Sequence, residues 1–339
     1  MSTIAGAFSE TTLLEQRVMA DAIMFGDRIN QQFIPKYDVI KAIAAAQTAN
    51  VITPLARIKD VDVVIEWINT CDIVCDDNEA CVVGGTKAST NAQSYSLEYE
   101  KVVNFTTSES DLITNDFNVN EMIAKQLLRA DQQLTECFAQ YAVAQLNAFA
   151  GVNETAPEGK GDIVGALTYI QAPYWNPNLM AYFNRAANMN RFTSPVMLSG
   201  NNLYESVYIA NANANNEGNR DGAVLYGMLP WYFDLFNVDT VNTPYYYTYM
   251  ISMGAVAMGN KFYNPTTPQV VNGVFTRYTM PSRFLPGFTY DVFYTPACDG
   301  DDFVAHSYKV KLTADVFLNP VGCTETNTGV LIFACGTPN

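Results

Sequence analysis

The stretch from Asn118 to Ala150 constrains the fold more than any other part of this chain. It contains no Pro or Gly, and Asn118 and Glu121 are spaced as a capping box that would start a helix. Gly151 is predicted to end it. Apolar residues recur at steps of three to five, mostly three or four, which is the spacing of one helix face. They are Ile123, Leu127, Ala130, Leu134, Phe138, Tyr141, Leu146 and Phe149.

A helix of this length would be roughly 45–50 Å long at about 1.5 Å per residue. Segments rich in β-forming residues flank it on both sides, so the chain is predicted to be α+β. Two such segments, at 58–69 and 94–106, are joined by small residues and predict a long, projecting β-hairpin. Further helices are predicted at 10–33, 39–49, 178–188 and 201–211, and strands at 195–199, 223–228, 231–237, 244–252, 270–278, 289–294, 307–317 and 330–334.

Composition and charge narrow the classes of function. The 339 residues allow one large or two ordinary domains. Only 16% of the residues are charged, which suggests that much of the surface meets other protein instead of water. The formal net charge of −15 disfavours a direct reader of nucleic acid, because phosphate would be repelled. No apolar run is long enough to span a bilayer, and the N-terminus lacks the pattern of a signal peptide, which predicts a soluble chain made in the cytoplasm.

The sequence predicts no catalytic, cofactor-binding or metal-binding residues. His306 is the only histidine, so any His-based catalytic triad would need it, and it is interpreted as a surface or edge-strand residue. Gly84 and Gly85 precede Thr86-Lys87, but the upstream glycine of a phosphate-binding loop is missing. The absence of a recognisable constellation favours a structural or binding role.

Seven cysteines, an odd number, argue against a complete disulfide framework. Three of them lie among acidic residues and could hold a soft metal, but their spacing is not that of a zinc ribbon. Ordinary cysteines are the favoured interpretation there. Three others could become neighbours in a C-terminal sheet. Pairing and metal binding stay open for both groups, which are Cys71, Cys75 and Cys81, and Cys298, Cys323 and Cys335.

The order of these elements resembles the major capsid protein of tailed bacteriophages, which has the Hong Kong 97 fold. The stretches SPVMLSGNNLYESVYIANA (194–212) and YYYTYMISMGAVAMGNKF (245–262) resemble a strand-then-helix step and an exit strand of that family's axial domain. The resemblance implies an N-terminal arm at 1–35, the start of a peripheral domain at 36–55, an extended β-hairpin loop at 56–106, a peripheral domain at 107–162 with a long spine helix at 118–150, an inserted α/β axial domain at 163–250, and a β-rich return to the peripheral domain at 251–339.

The same resemblance implies a function. Such a protein would self-assemble into hexamers and pentamers of an icosahedral shell around double-stranded DNA, with its extended loop over a neighbouring subunit. It would be made in the host cytoplasm and reside in the virion capsid. Its partners would be other copies of itself, portal, scaffold or decoration proteins, and packaged DNA in loose, non-specific contact, with no membrane and no cofactor. Some members cross-link a loop lysine, for which Lys87 and Lys101 are candidates, although nothing in the sequence marks them.

Three alternatives stay open. One is an enzyme that works through Asp/Glu pairs, such as a glycoside hydrolase, although no spacing in the sequence singles out such a pair. An encapsulin-type nanocompartment would use the same fold to enclose protein cargo instead of DNA. A secreted carbohydrate-binding or adhesion protein would suit the many Tyr and Asn residues, but it would be expected to carry a signal peptide and paired cysteines.

Overall fold

The computed structural model describes most of the chain outside its N-terminal segment. An α+β fold is confirmed in the part that it describes. The described ranges are 36–52, 63–68, 90–110, 119–176, 179–201, 203–204, 224–225, 229–243, 245–285, 287–299, 303–320 and 328–337. The predicted arm helix at 10–33 and most of the predicted helix at 201–211 lie outside them.

The chain divides into two compact units. The described residues of unit 1 fall within Leu97–Phe138 and Asn260–Ala314, and unit 2 comprises those within Lys36–Ser96, Ala139–Gly259 and Asp315–Asn339. The division of the chain into arm, extended loop, peripheral and axial domains stays a prediction.

Helices and strands alternate irregularly along the sequence. The helices are α1 (Asp38–Ala46), α2 (Val119–Ala148), α3 (Leu179–Met189) and α4 (Leu235–Val241). The strands are β1 (Asn50–Ile52), β2 (Val63–Ile68), β3 (Thr90–Tyr95), β4 (Tyr99–Ser108), β5 (Gly161–Val164), β6 (Leu167–Ile170), β7 (Val196–Ser199), β8 (Val224–Leu225), β9 (Leu229–Phe233), β10 (Tyr246–Ile251), β11 (Val256–Asn260), β12 (Gln269–Val271), β13 (Phe275–Pro281), β14 (Thr289–Cys298), β15 (Val304–Leu318) and β16 (Val330–Cys335).

Helix α2 confirms the predicted long helix. It has 30 residues, and its apolar stripe is buried from Ile123 to Leu146 except at Tyr141, which is partly exposed. The helix ends at Ala148, three residues before the predicted stop at Gly151. Gly151 instead starts an extended segment and donates its N–H to the carbonyl of Val330 at 2.8 Å. A Cβ at this position would lie 2.5 Å from the backbone nitrogen of Thr328, so the glycine permits a close approach of two chain segments.

Unit 1 contains an antiparallel sheet in which β4, β15, β14, β13 and β12 lie side by side in that order. Side chains alternate between its two faces. One face packs on the first part of α2, where the Phe138 ring lies 5.5 Å from Tyr99 and 5.4 Å from Phe288. The alternating residues of β14 and β15 on this face, such as Val292 and Val310, are fully buried. The sheet and the helix thus share one apolar core.

Unit 2 contains a mixed seven-stranded sheet in the order β5-β6-β16-β10-β7-β9-β8. Helix α3 contributes Phe183 to its core, where the ring lies 4.8 Å from Phe333 and 5.9 Å from Trp231. Helix α1 packs against β7 and β9. A separate three-stranded sheet, β1-β2-β3, belongs to the same unit.

The predicted hairpin partners are wrong. Strand β2 does pair in antiparallel fashion, but with β3 at Thr90–Tyr95 instead of with the whole segment 94–106. Residues 96–98 interrupt that segment, and β4 after them pairs with β15. The predicted projection is also wrong for β2, because Val63, Ile65 and Trp67 are buried. Residues 69–89 between the two strands lie outside the described part.

Two other strand predictions need correction because a local turn or cap signal prevails. The segment 231–237 ends its strand at Phe233, where buried Asp234 accepts the N–H of Asn237 and starts α4. The segment 270–278 is a hairpin of β12 and β13. Asn272 and Gly273 both have positive φ, at 53° and 69°, which is the geometry that an Asn-Gly turn favours.

Candidate functional site

Helix α2 carries a buried carboxylate, Asp131, which is 3% exposed and lies on the helix's own apolar stripe. It accepts hydrogen bonds from the Tyr290 hydroxyl at 2.6 Å, the Ser282 hydroxyl at 2.7 Å and the Arg283 N–H at 2.8 Å. Thr135, one turn along the helix, donates at 3.4 Å. The carboxylate therefore fixes the loop before β14 to the helix.

Burial raises the pKa of Asp131 above its ordinary value, and its hydrogen bonds oppose that rise only in part. Burial also raises the pKa of Tyr290 well above its usual value, and the adjacent carboxylate adds to the rise. The two oxygens of Asp131 are occupied by donors of the chain itself. This arrangement holds the loop before β14 and the start of β14 against α2. We call it the Asp131 clamp, formed with Thr135, Ser282, Arg283 and Tyr290.

A second buried carboxylate in unit 1, Asp291 on β14, holds the segment that follows β11. It accepts the backbone N–H groups of Tyr263 at 2.9 Å and Asn264 at 2.7 Å. Burial raises its pKa, and these two N–H groups lower it. The amide of Asn260 adds to the connection by donating to the carbonyls of Thr289 at 3.2 Å and Thr313 at 2.9 Å.

In unit 2, one carboxylate serves the N-termini of two helices. Asp234 accepts the N–H of Asn237 at 3.0 Å in α4 and that of Val39 at 3.3 Å in α1. The Asn237 amide donates to Asp234 and to the carbonyl of Lys36. A negative charge is favoured at helix N-termini, where free N–H groups and the positive end of the dipole meet. The pair of helices is thereby held at one end of the seven-stranded sheet.

A closed ring of three neutral side chains lies elsewhere in unit 2. Asn147 donates to Asn242 at 2.8 Å, Asn242 donates to the Tyr249 hydroxyl at 2.7 Å, and Tyr249 donates back to Asn147 at 2.6 Å. Tyr249 is fully buried, which raises the pKa of its hydroxyl. Each of the three side chains both donates and accepts a hydrogen bond within the ring, so the network is satisfied internally. We call it the amide ring.

The prediction that His306 is a surface or edge-strand residue needs correction. β15 is an interior strand at this point, because His306 pairs with Thr107 of β4 and with Pro296 of β14. One ring nitrogen lies 2.9 Å from the Tyr294 hydroxyl, and the other lies 3.3 Å from Glu109. The Glu109 carboxylate also accepts the Val304 N–H at 3.1 Å. Both imidazole nitrogens thus have partners within the sheet.

The described cysteines, Cys137, Cys298 and Cys335, are all free thiols. Cys298 and Cys335 are therefore not bonded to each other. Burial raises the pKa of the Cys335 thiol to about 11, so it is protonated at neutral pH. No group of three metal-ligating side chains occurs within the described residues. The remaining cysteines, Cys71, Cys75, Cys81 and Cys323, lie outside them.

The polar face of α2 is open to contacts in part. Arg129 and Gln133 are exposed there, whereas Lys125, Gln132 and Glu136 are partly buried. Of the two cross-linking candidates, Lys101 is exposed on β4, and Lys87 lies outside the described residues. None of the helices within the described residues combines the length and the hydropathy that a bilayer crossing requires.

Sequence reasoning missed the Asp131 clamp, although one signal was available. Leu127, Asp131, Leu134 and Phe138 follow one another at steps of four, three and four, so a charged residue occupies a position on the apolar stripe. A carboxylate in such a position needs buried donors. Those donors, at 282–290, are more than 150 residues away and have no local pattern of their own.

No protein-family model and no curated protein matches this chain. Solved structures do match. A structure from Mycobacterium phage Che8 aligns with a TM-score of 0.43 and 11% identity over 90% of this chain and 93% of that one. A capsid asymmetric unit of cyanophage Pam1 aligns with a TM-score of 0.41 and 12% identity over 83% and 86%. The mature capsid of bacteriophage PhiM1 aligns with a TM-score of 0.40 and 9% identity over 81% and 82%.

No function is inferred from alignments at this level. The chain is similar to solved bacteriophage structures, capsids among them, and this is the resemblance that the sequence predicted.

Proposed function

We propose that this chain is the major capsid protein of a tailed bacteriophage, and that it assembles into hexamers and pentamers of an icosahedral shell enclosing double-stranded DNA. The observation that carries the proposal is the order of the elements. One 30-residue helix follows an edge strand, the α/β block comes next, and strands β12 to β15 of the β-rich return complete the sheet that the edge strand began. This order is the one implied by the resemblance to the Hong Kong 97 fold.

In this proposal, α2 is the spine helix at 118–150 and the block at 163–250 is the axial domain. Residues 56–106 form the extended loop, 1–35 the N-terminal arm, and 251–339 the return to the peripheral domain. A shell subunit contacts several neighbouring subunits at once and must keep its conformation under the forces that they exert. The Asp131 clamp supports this role, because three of its hydrogen bonds join the spine helix to the loop before β14 and to the start of that strand.

The surface of the subunit also suits extensive contacts with other copies. Low charge with many Tyr and Asn side chains provides contact area together with hydrogen-bonding capacity. Several large apolar side chains are half-exposed or more in the single chain, including Val164, Met189, Phe236 and Val274. Stable interfaces bury about 1,200–2,000 Å² in total, and a shell subunit makes several of them. We expect these side chains to be less exposed in the assembled shell.

The direct test is to purify the full chain and examine it by light scattering and negative-stain electron microscopy. We expect ring-shaped capsomers or closed shells. A chain that stays monomeric at high concentration would contradict the proposal. Particles purified from producing cells then separate capsid from nanocompartment, because nuclease-protected double-stranded DNA supports a capsid and an enclosed protein cargo supports an encapsulin-type shell.

A deletion tests the proposed extended loop. Removing residues 70–88 spares both β2 and β3, so the subunit should stay folded with an unchanged far-ultraviolet circular dichroism spectrum. We expect shells to be lost, because the contact between neighbours would be missing. Normal shells from this variant would show that 56–106 is not an intersubunit loop.

A further inference from the structure

The face of the unit 1 sheet opposite to α2 carries a straight row of side chains across five strands. The strand register aligns Arg277 on β13 with Phe293 on β14 and with Lys309 on β15. Gln269 on β12 and Asn104 on β4 complete the row at its two ends. Neighbouring strands lie about 4.8 Å apart, so the row is roughly 19 Å long. We call it the cationic row.

The positive charges in this row lack acidic partners among the described residues. The Lys309 ammonium lies 5.8 Å from the centre of the Phe293 ring, and no described carboxylate pairs with it. Arg277 donates to the Gln269 amide at 3.3 Å, while its buried Nε has no hydrogen-bond acceptor in the described part of the chain. Lys311 lies two residues beyond Lys309 on the same face of β15, and it does have an acidic partner, since it pairs with Glu100 at 2.6 Å. Two cations thus flank an aromatic ring on this sheet face, where Lys309 is exposed and Arg277 and Phe293 are partly exposed.

Arginine and aromatic side chains are enriched where proteins bind other proteins. The chain itself supplies a complementary acidic segment. Residues 60–86 contain seven Asp or Glu residues and no Lys or Arg, which accounts for almost half of the formal net charge of −15. Four of these carboxylates fall within the short run 71–81, at Asp72, Asp76, Asp77 and Glu79, all outside the described residues.

We propose that the cationic row binds the acidic segment 71–81 of a second copy of this chain. The inference rests on the proposed function, since the contact joins two copies in an assembly, and it identifies which charges meet there. Carboxylates of the segment pair with Lys309 and Arg277, and its apolar residues cover the Phe293 ring. A partly desolvated pair of this kind fixes the register between partners more than it adds affinity.

The size of the row favours a short acidic peptide over nucleic acid. Proteins that bind DNA through phosphate contacts commonly neutralise about six to ten phosphates. The row offers two uncompensated cations, and the chain around it carries a formal net charge of −15 that repels a polyanion. Two cations are enough for a run of four carboxylates spread over eight residues.

A charge swap in the full chain provides the test. We expect Arg277→Glu with Lys309→Glu to lower the assembled fraction at least roughly tenfold, which corresponds to one lost close charge pair. Asp76→Lys with Asp77→Lys should have the same effect. The combination of all four changes should restore assembly to within about threefold of the unaltered chain. Reversal of two cations of unit 2, Lys36→Glu with Lys160→Glu, matches the charge change and should leave assembly unaltered.

Failure of the swap is informative on its own. If the Arg277→Glu, Lys309→Glu variant assembles like the unaltered chain, or if the combined variant does no better than either parent, the inference is overturned while the proposed capsid function stands. A subunit with unchanged circular dichroism in each variant confirms that folding is not the cause of a loss.

A binding experiment keeps the inference testable even if the chain does not form shells. A fluorescently labelled peptide of residues 69–83, kept reduced, is titrated with the full chain at low concentration and followed by anisotropy. We expect binding that weakens as salt is raised from about 50 to 500 mM, because exposed charges are then screened. Binding should be lost with the Arg277→Glu, Lys309→Glu variant and with a peptide whose acids are replaced by amides. Equal binding of the amide peptide, or tighter binding of a double-stranded DNA 20-mer at the same row, would overturn the inference.

Discussion

The buried carboxylates Asp131 and Asp291 of unit 1 and the amide ring of unit 2 hold distant segments together with different chemistry. In unit 1, buried carboxylates at Asp131 and Asp291 collect backbone and hydroxyl donors from segments far away in the sequence. In unit 2, the amide ring of Asn147, Asn242 and Tyr249 makes its long-range connections with neutral groups only. Both solutions satisfy their buried polar atoms, but only the carboxylates of Asp131 and Asp291 are ionisable acids, whereas the amide ring is neutral.

This difference predicts how each unit responds to mutation and to pH. A buried carboxylate has a large desolvation cost, so it is stabilising only while all of its donors are present. Removing the carboxylate also leaves several buried donors without an acceptor at once. A neutral amide costs less to bury, and its loss strands fewer groups. The carboxylate networks of unit 1 should therefore be more sensitive to a single substitution than the amide ring, and the ring itself should not respond to pH.

The largest effect is expected at the Asp131 clamp. Asp131→Leu leaves the hydroxyls of Ser282 and Tyr290 and the N–H of Arg283 without their acceptor. We expect a loss of about 3–5 kcal/mol in the free energy of unfolding, measured by urea denaturation. Gln133→Leu, at an exposed position of the same helix, should stay within about 0.5 kcal/mol of the unaltered chain. A loss at Asp131 below about 1 kcal/mol would show that the clamp contributes little to stability.

A smaller loss is expected in the amide ring. Asn242→Ala removes the acceptor of Asn147 and the donor to Tyr249, and it opens a small cavity beside a fully buried ring. We expect a loss of about 2 kcal/mol by the same measurement. Asn188→Ala on the exposed side of α3 serves as the control. If Asn242→Ala proves more costly than Asp131→Leu, the proposed contrast between the units is reversed.

The next effect concerns a single buried hydroxyl in unit 2, that of Tyr182. Tyr182 donates to the carbonyl of Thr155 at 2.8 Å and accepts from Asn153 at 3.2 Å. Burial raises the pKa of its hydroxyl to about 12, so it stays neutral throughout the usual range. Tyr182→Phe should cost about 1 kcal/mol in thermal or urea unfolding. Tyr174→Phe, on a residue that is 38% exposed, should cost almost nothing.

The elements that the sequence predicted best are those with a strong local period. Helix α2 was predicted at 118–150 and occurs at 119–148 because its apolar stripe recurs over about eight turns with Asp131 as its one charged member. Helix α3 was found for the same reason, whereas strand β7 was found as a short apolar run between Pro195 and Gly200. The hairpin of β12 and β13 is not predicted, although Asn272-Gly273 is a strong turn signal, because the apolar residues on both sides of it favour one continuous strand.

Pairings between distant strands could not be obtained in this way. Strand β4 has an alternating pattern that fits either β2 or β15, and only tertiary packing selects β15, which comes some 200 residues later. The polar networks are harder still. Asp131 looks like an ordinary helix residue, and Asn242 like an ordinary residue at a helix end, until the segments that carry Tyr290 and Tyr249 are folded against them.

The smallest effect, and the one that separates the two units most directly, is a pH dependence. The pKa of Asp131 in the folded chain lies above its ordinary value of 3.8 because of burial. A raised acid pKa means that its contribution to stability is present below the unfolded value and is lost as pH rises through the folded value. The stability advantage of the unaltered chain over Asp131→Asn should therefore shrink as pH rises from about 4 to 7. Asp291 shifts in the same direction but is present in both chains, so it cancels.

Urea denaturation at several pH values measures this difference, and Asn242→Ala provides the matched comparison. Its deficit should stay constant between about pH 4 and 7, because neither amide of the ring titrates there and burial raises the pKa of Tyr249 farther from that range. A constant difference for Asp131→Asn would mean that the carboxylate is no harder to ionise in the folded chain than in the unfolded one. A varying difference for Asn242→Ala would mean that unit 2 also depends on an ionisable group coupled to its ring.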